Sequence, residues 1–325
     1  MAAMETNWKL IHTSSPHLPA PVQVIAAKHI PYTVNGNRLQ TLNVYLAHNR
    51  LKQTLLDKSV TSLPIASASA TPRWLVHIHG GAWRDPNLTA ESIEATVAHA
   101  FNDETSPIVG IASINYTVSP FPIVPDWLPT KAYDPVRDNH ADTAREGRHP
   151  QHIFDVLSGF AFLRSLGLTD GSYILTGHSA ESLPRPAAVA GLNGLYDLPA
   201  LVTELGRSHA HLSVDYVRIL TQAFGEDREV WKAASPALFD KETVARKVSG
   251  QGAPILVVID QSVDDELVPF DQRDRLADNL RTVDGLKVVL GNRLSGKHIS
   301  PWTEGLMIWE TVQDILAHLA KDSLV

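Results

Sequence analysis

Cysteine is absent from this 325-residue chain. That excludes disulfides, thiolate nucleophiles and thiolate metal ligands, and leaves Ser, Asp, Glu and His as the groups able to carry chemistry. No stretch approaches the roughly 18 consecutive apolar residues that a membrane-spanning helix needs. The first segment, Met1 to Leu18, is polar, broken by Pro16, and holds no apolar core of the kind found in a secretory signal. A soluble cytoplasmic protein without a membrane partner is therefore expected. Basic runs are missing too: 28 Lys and Arg against 35 Asp and Glu leave a net charge of −7, so the electrostatic footprint of nucleic-acid binding is lacking. The 15 histidines are scattered, none at a ligand spacing such as His-Glu-x-x-His, and no metal site is expected. There are no internal repeats. A small-molecule partner is the class that remains.

What is present is an ordinary globular mixture, 44% hydrophobic and 19% charged, able to bury a core. The length suits one large α/β core or two small domains. Val22 to Val34 and Leu39 to Ala47, rich in β-branched residues, flank Asn35-Gly36-Asn37 and predict an antiparallel hairpin that opens a sheet. Short apolar runs then alternate with helical patterns: Trp74 to Ile78, Ile108 to Asn115, Tyr173 to Thr176, Ala188 to Leu195, Ile255 to Ile259 and Lys287 to Leu290. Such runs read as buried parallel strands. Ile153, Val156, Leu157, Phe160 and Leu163 share one helical face, and Met307 to Ala320 repeats the pattern. The expected fold is an α/β three-layer sandwich, mostly parallel, in a single domain spanning 1–325. Residues 121–150 and 207–225 are its candidates for a lid or cap. Trp127 and Tyr133 in the first of these are candidates to line a pocket, although exposed loop aromatics or small-core anchors are the plainer reading.

Chemistry concentrates in four places. Gly177-His178-Ser179-Ala180-Glu181 follows a predicted strand and nearly matches Gly-x-Ser-x-Gly, the sharp strand-to-helix turn that exposes a nucleophilic serine. Glu181 breaks the final glycine. His79-Gly80-Gly81-Ala82-Trp83 follows another predicted strand, with His79 placed 100 residues ahead of Ser179. A glycine loop there brings backbone N–H groups to a developing oxyanion, and Gly81, Ala82 and Ala180 are the candidate donors. A serine nucleophile also needs a histidine to take its proton and a carboxylate to hold that histidine. The run Asp260 to Pro269 follows a strand and contains Asp264 and Asp265. Asp265 fits better by its spacing to Val268-Pro269, with Asp264 kept as the alternative. His298 completes the order Ser, acid, His; His209 and His211 precede the acid, His318 lies in the terminal helix, and all three read as surface residues.

From Trp74 to the C-terminus, with the hairpin before it, the chain resembles the α/β-hydrolase fold. His79 to Trp83, Gly191-Leu192-Asn193-Gly194-Leu195-Tyr196-Asp197-Leu198 and Asp265-Glu266-Leu267-Val268 are most similar to fungal kynurenine formamidases, relatives of the hormone-sensitive-lipase-like esterases. The resemblance implies hydrolysis of N-formyl-L-kynurenine to formate and L-kynurenine in tryptophan degradation, without cofactor, and raises a homodimer as the assembly. It assigns Ser179 as nucleophile, Asp265 as acid, His298 as base and His79 to Trp83 as the oxyanion motif. A small-acyl carboxylesterase and a catalytically dead binding protein are the alternatives. The second is motivated by one departure. Only Ala180 to Pro186 separates Ser179 from the next predicted strand, whereas a parallel crossover takes about a dozen residues or more. Pro184 and Pro186 also oppose a helix. The helix that should follow the serine is missing from the sequence, which puts burial of the sheet and support of the serine turn in question.

Overall fold

In a computed structural model, which describes residues 6–48, 54–61, 63, 74–120, 142–177, 185–248 and 253–322, the short apolar runs form one nine-stranded sheet. Its strands are β1 (Lys9–Thr13), β2 (Val22–Pro31), β3 (Thr41–Ala47), β4 (Trp74–Ile78), β5 (Gly110–Ile114), β6 (Tyr173–Thr176), β7 (Ala188–Leu192), β8 (Ile255–Asp260) and β9 (Leu286–Leu290). The spatial order is β1-β2-β3-β5-β4-β6-β7-β8-β9. The β1–β2, β2–β3 and β3–β5 pairs are antiparallel, and every pairing from β5–β4 to β8–β9 is parallel. All residues of β4, β5, β6 and β8 are buried. Covered on both faces, such strands need continuous apolar runs rather than alternation, which is how their sequences read.

The predicted hairpin forms as β2 and β3 but does not open the sheet. Residues before it add β1, paired from Lys9 opposite Ala26 to Thr13 opposite Val22. With its first two residues exposed and only Thr13 buried, β1 has little of the apolar signature by which a strand is read from sequence.

Helices complete the sandwich. On one face α1 (Glu94–Asn102) lies with the C-terminal helix, their side chains Val97, Ile308, Val312 and Ile315 packing with Leu75, Ile111, Ile174 and Val258 of the sheet. On the other, α2 (Gln151–Ser165) sets Val156, Phe160 and Leu163 against Val76, Ile114 and Leu175. α3 (Ser213–Phe224) stands apart, its Tyr216, Leu220 and Phe224 clustering with Leu198, Leu201, Trp231 and Val268 and touching Trp83. It falls in the stretch read as a cap. α4 (Asp271–Leu280) places Leu276 and Ala277 against Ile255, Val257 and Ile259 on the α2 side, and α5 (Leu306–Asp322) is the C-terminal helix already placed. No helix of the described residues is long and apolar enough to cross a membrane. Of the other lid candidate, 121–141 lie outside the described residues, Trp127 and Tyr133 among them.

The short connection is real. β6 and β7 pair in parallel, from Ile174 opposite Ala188 to Thr176 opposite Ala190, with residues 177–187 between them. No helix occurs among the described residues of that link. Val189 packs against the clusters under both α2 and α4. It is only half-buried, while Ala188 and Ala190 beside it are buried. The sheet thus keeps its continuity across this link.

Candidate active site

The chemistry-bearing segments all leave the carboxyl ends of parallel strands. β8 ends at Asp260, and the chain then turns so that the Asp265 side chain is fully buried. Its Oδ1 accepts the N–H groups of Leu267 at 2.9 Å and Val268 at 2.8 Å. Its Oδ2 accepts Gln261 Nε2 at 2.8 Å and lies 2.8 Å from His298 Nδ1. Because a carboxylate oxygen accepts, Nδ1 carries the imidazole proton, and a neutral His298 presents a lone pair on Nε2. Buried carboxylates are costly unless satisfied in this way. Asp264, the alternative acid, is exposed, and its backbone N–H donates to Ser262 Oγ at 3.2 Å. His298 contacts Asp265. Its own N–H donates to Glu266 Oε2 at 3.0 Å, and its ring stacks near Trp302 at 6.1 Å.

Beyond β4, Gly81, Ala82 and Trp83 take φ of 105°, 48° and 60°. Left-handed backbone costs a residue with a Cβ roughly 1–2 kcal/mol. Strain of this kind persists only where surrounding contacts impose it, and it clusters at functional sites. Gly81 O accepts the N–H groups of Arg84 and Asp85, both at 2.9 Å, and Trp83 O accepts Ser119 N–H at 2.6 Å. The His79 ring stacks on Tyr116 at 4.4 Å with 7° between planes. Tyr116 Oη is placed to donate to His79 O at 3.2 Å or Gly80 O at 3.3 Å. His79 Nδ1 donates to Gly80 O at 2.8 Å. Burial lowers the His79 pKa to about 4, so near neutral pH the ring is an uncharged support for the loop. His77 behaves alike: buried, 3.0 Å from Thr176 Oγ1, its pKa is pushed down to about 3 by burial.

The serine motif is described as far as Gly177. Its φ is 117°, and a Cβ there would lie 2.4 Å from Ile78 O, a contact only glycine avoids. Ile78 immediately precedes His79, so the start of the serine motif abuts the start of the glycine loop. Gly177 N–H also donates to Ala190 O at 3.1 Å, tying this point to β7. Ser179, Ala180 and Glu181 lie outside the described residues, as does His178.

α3 contacts the acid loop. Tyr216 Oη donates to Leu267 O at 2.5 Å, and Trp83 meets Phe224 edge-on at 4.9 Å. His209, expected at the surface, is instead half-buried, and its Nε2 lies 3.0 Å from Asp265 O. Two groups unassigned from sequence support the base loop. Asp260, buried at the end of β8, accepts Arg293 N–H at 2.7 Å and Leu294 N–H at 3.2 Å, and Ser262 Oγ donates to Gly296 O at 2.6 Å. Their place at the mouth of a strand was the available signal; which loop each would serve was not. Among the described residues, no group of three or more His, Asp or Glu converges as metal ligands would.

A mostly parallel sheet with helices on both faces and a histidine–carboxylate pair beyond its strand ends defines an α/β-hydrolase. Solved structures agree in fold. Esterase B from Lactobacillus rhamnosis superposes with a TM-score of 0.53 at 13% identity, covering 92% of this chain and 88% of that one. A truncated carbohydrate esterase from gut microbiota gives 0.53 at 14%, covering 92% and 96%. No family model matches the chain. In sequence it is 34% identical over 231 residues to a kynurenine formamidase-like hydrolase of Fusarium equiseti, covering 65% of this chain and 68% of the relative. It is 30% identical over 240 residues to a kynurenine formamidase of Aspergillus versicolor, covering 64% and 76%. The chain belongs to the kynurenine formamidase family.

Proposed function

We propose that this protein hydrolyses N-formyl-L-kynurenine to L-kynurenine and formate through Ser179, His298 and Asp265. The observation that carries the reading is the 2.8 Å contact of His298 Nδ1 with a fully buried Asp265, beside a strained glycine loop that abuts the start of the serine motif. The named relatives point to the substrate. In the proposed reaction His298 Nε2 takes the Ser179 proton as Oγ attacks the formyl carbon. The N–H groups of Gly81, Ala82 and Ala180 hold the oxyanion. Protonated His298 then gives its proton to the departing arylamine, so the C–N bond breaks and a formyl-serine ester remains. Water, deprotonated by His298, attacks that ester; the bond from the formyl carbon to Oγ breaks, His298 returns its proton to Ser179 Oγ, and formate leaves.

The test measures kynurenine release from N-formyl-L-kynurenine, beside hydrolysis of a short p-nitrophenyl ester, for the wild type and Ser179→Ala. Faster turnover of the formamide, lost in Ser179→Ala, is expected. Turnover of the ester alone would replace the reading with a small-acyl carboxylesterase. Turnover that survives Ser179→Ala, or none in the folded wild type, would overturn it.

A further inference from the structure

We propose that Asn193 is a positioning residue, a clamp that sets the acid-bearing loop and the base-bearing loop at the spacing the His298–Asp265 pair requires. The inference rests on the reading of these two residues as base and acid. Asn193 directly follows β7, is buried, and has φ of 45°. Its backbone N–H donates to Asp260 O at 3.0 Å. Its side chain reaches both loops: Oδ1 accepts Ser262 N–H at 3.0 Å, and Nδ2 donates to His298 O at 3.3 Å. Ser262 lies three residues before Asp265 in sequence. One planar amide thus bridges the two loops, offering an acceptor to one and a donor to the other.

The chemistry of the position is narrow. It needs a residue that tolerates left-handed backbone, as Gly, Asn and Asp do, and a short side chain carrying both an acceptor and a donor, which Asp lacks when ionised and Gly lacks altogether. Asn meets both demands. Without the clamp, the 2.8 Å contact between His298 and Asp265 would lose a bond from each loop to a common anchor. A shift of about 1 Å in a catalytic group can cost on the order of 100-fold in rate.

Two variants separate backbone from side chain. N193G keeps the left-handed turn and removes both side-chain bonds; N193D keeps the acceptor for Ser262 N–H and sets an oxygen against His298 O. Each is compared with the wild type in thermal melting, in kcat and KM for N-formyl-L-kynurenine, and in the far-downfield proton resonance of His298 Nδ1–H, assigned by its loss in His298→Gln. The expected result for at least one folded variant is kcat lower by about 10- to 100-fold, KM within about twofold, and the resonance weakened or exchange-broadened. A wild type without turnover would fail the proposed function, while loss of its resonance in a folded variant would still support the clamp. Unchanged kcat and resonance in every variant that folds would overturn the clamp. So would absence of the resonance from the wild type, or failure of both variants to fold, which would make Asn193 a determinant of the fold alone.

Discussion

Gly177→Ala should destabilise the protein by about 2–6 kcal/mol, and a second glycine shows why. At Gly177 the new Cβ would lie 2.4 Å from Ile78 O and 3.0 Å from Ile78 Cβ, at φ of 117°. Relieving the carbonyl contact even to 3.0 Å requires a movement of about 0.6 Å, in a close-packed region where side chains cannot simply give way. The obstacle is backbone at the end of β4, so relief must disturb the β4–β6 pairing or the glycine loop that begins at His79. Backbone strain contributes roughly 1–3 kcal/mol and overpacking a further 1–3 kcal/mol. Gly171 isolates the first contribution: its φ is 71° and nothing lies within 4 Å of a Cβ there, so Gly171→Ala should cost only about 1–2 kcal/mol. Urea unfolding of both variants, read as midpoint at constant m-value, gives the comparison. Gly177→Ala should lose about 1–3 kcal/mol more than Gly171→Ala, the overpacking contribution. Equal losses would refute the claim that the serine motif is pinned against β4.

Two further outcomes follow from the same geometry. Asp265→Asn should leave the melting temperature within a few degrees but lower kcat for N-formyl-L-kynurenine by on the order of 10⁴, because an amide at Oδ2 no longer enforces the Nδ1–H tautomer of His298; a loss below tenfold in steady-state assays would remove Asp265 from the mechanism. Acid should destabilise the fold through buried histidines. Burial lowers the pKa of His77 to about 3 and of His79 and His152 to about 4, so below their unfolded value of about 6.5 the unfolded chain binds protons that the folded one refuses. Stability is full above that value and falls as pH drops from about 6.5 towards 4, by about 3 kcal/mol for His152 alone. Denaturant titrations at pH 7.5 and 5 should show this fall, reduced in His152→Gln; a flat profile would contradict the burial of these rings.

The buried strands were legible because full burial leaves a plain chemical trace. Trp74–Ile78 and Tyr173–Thr176 appear with the bounds their sequences suggest. The polar elements were not legible. α4 buries only Gln272, Leu276 and Ala277 of its ten residues, too few to show a helical period, and β1 exposes most of its length. At the site, strand order and loop chemistry led to Asp265 and His298. The choice between Asp264 and Asp265 turns on burial and on two backbone N–H groups, which one sequence does not display. Asn193 read only as part of the predicted strand Ala188 to Leu195, since its bonds run to Ser262 and His298, 69 and 105 positions away.

The 11-residue link also alters the order in which the sheet can assemble. Ile174 and Ala188 pair across 14 positions, whereas Trp74 reaches Tyr173 across 99. Loop closure becomes costlier as the link lengthens, by about 0.6 kcal/mol per doubling, and contacts near in sequence form fastest. Inserting a three-turn helix of roughly 11 residues would double this link. As it stands, β6 and β7 are the parallel pair nearest in sequence, set between β4 and β8, whose own parallel pairings join segments 31 or more positions apart. The shortness of the link keeps the entropy cost of closing this pair low.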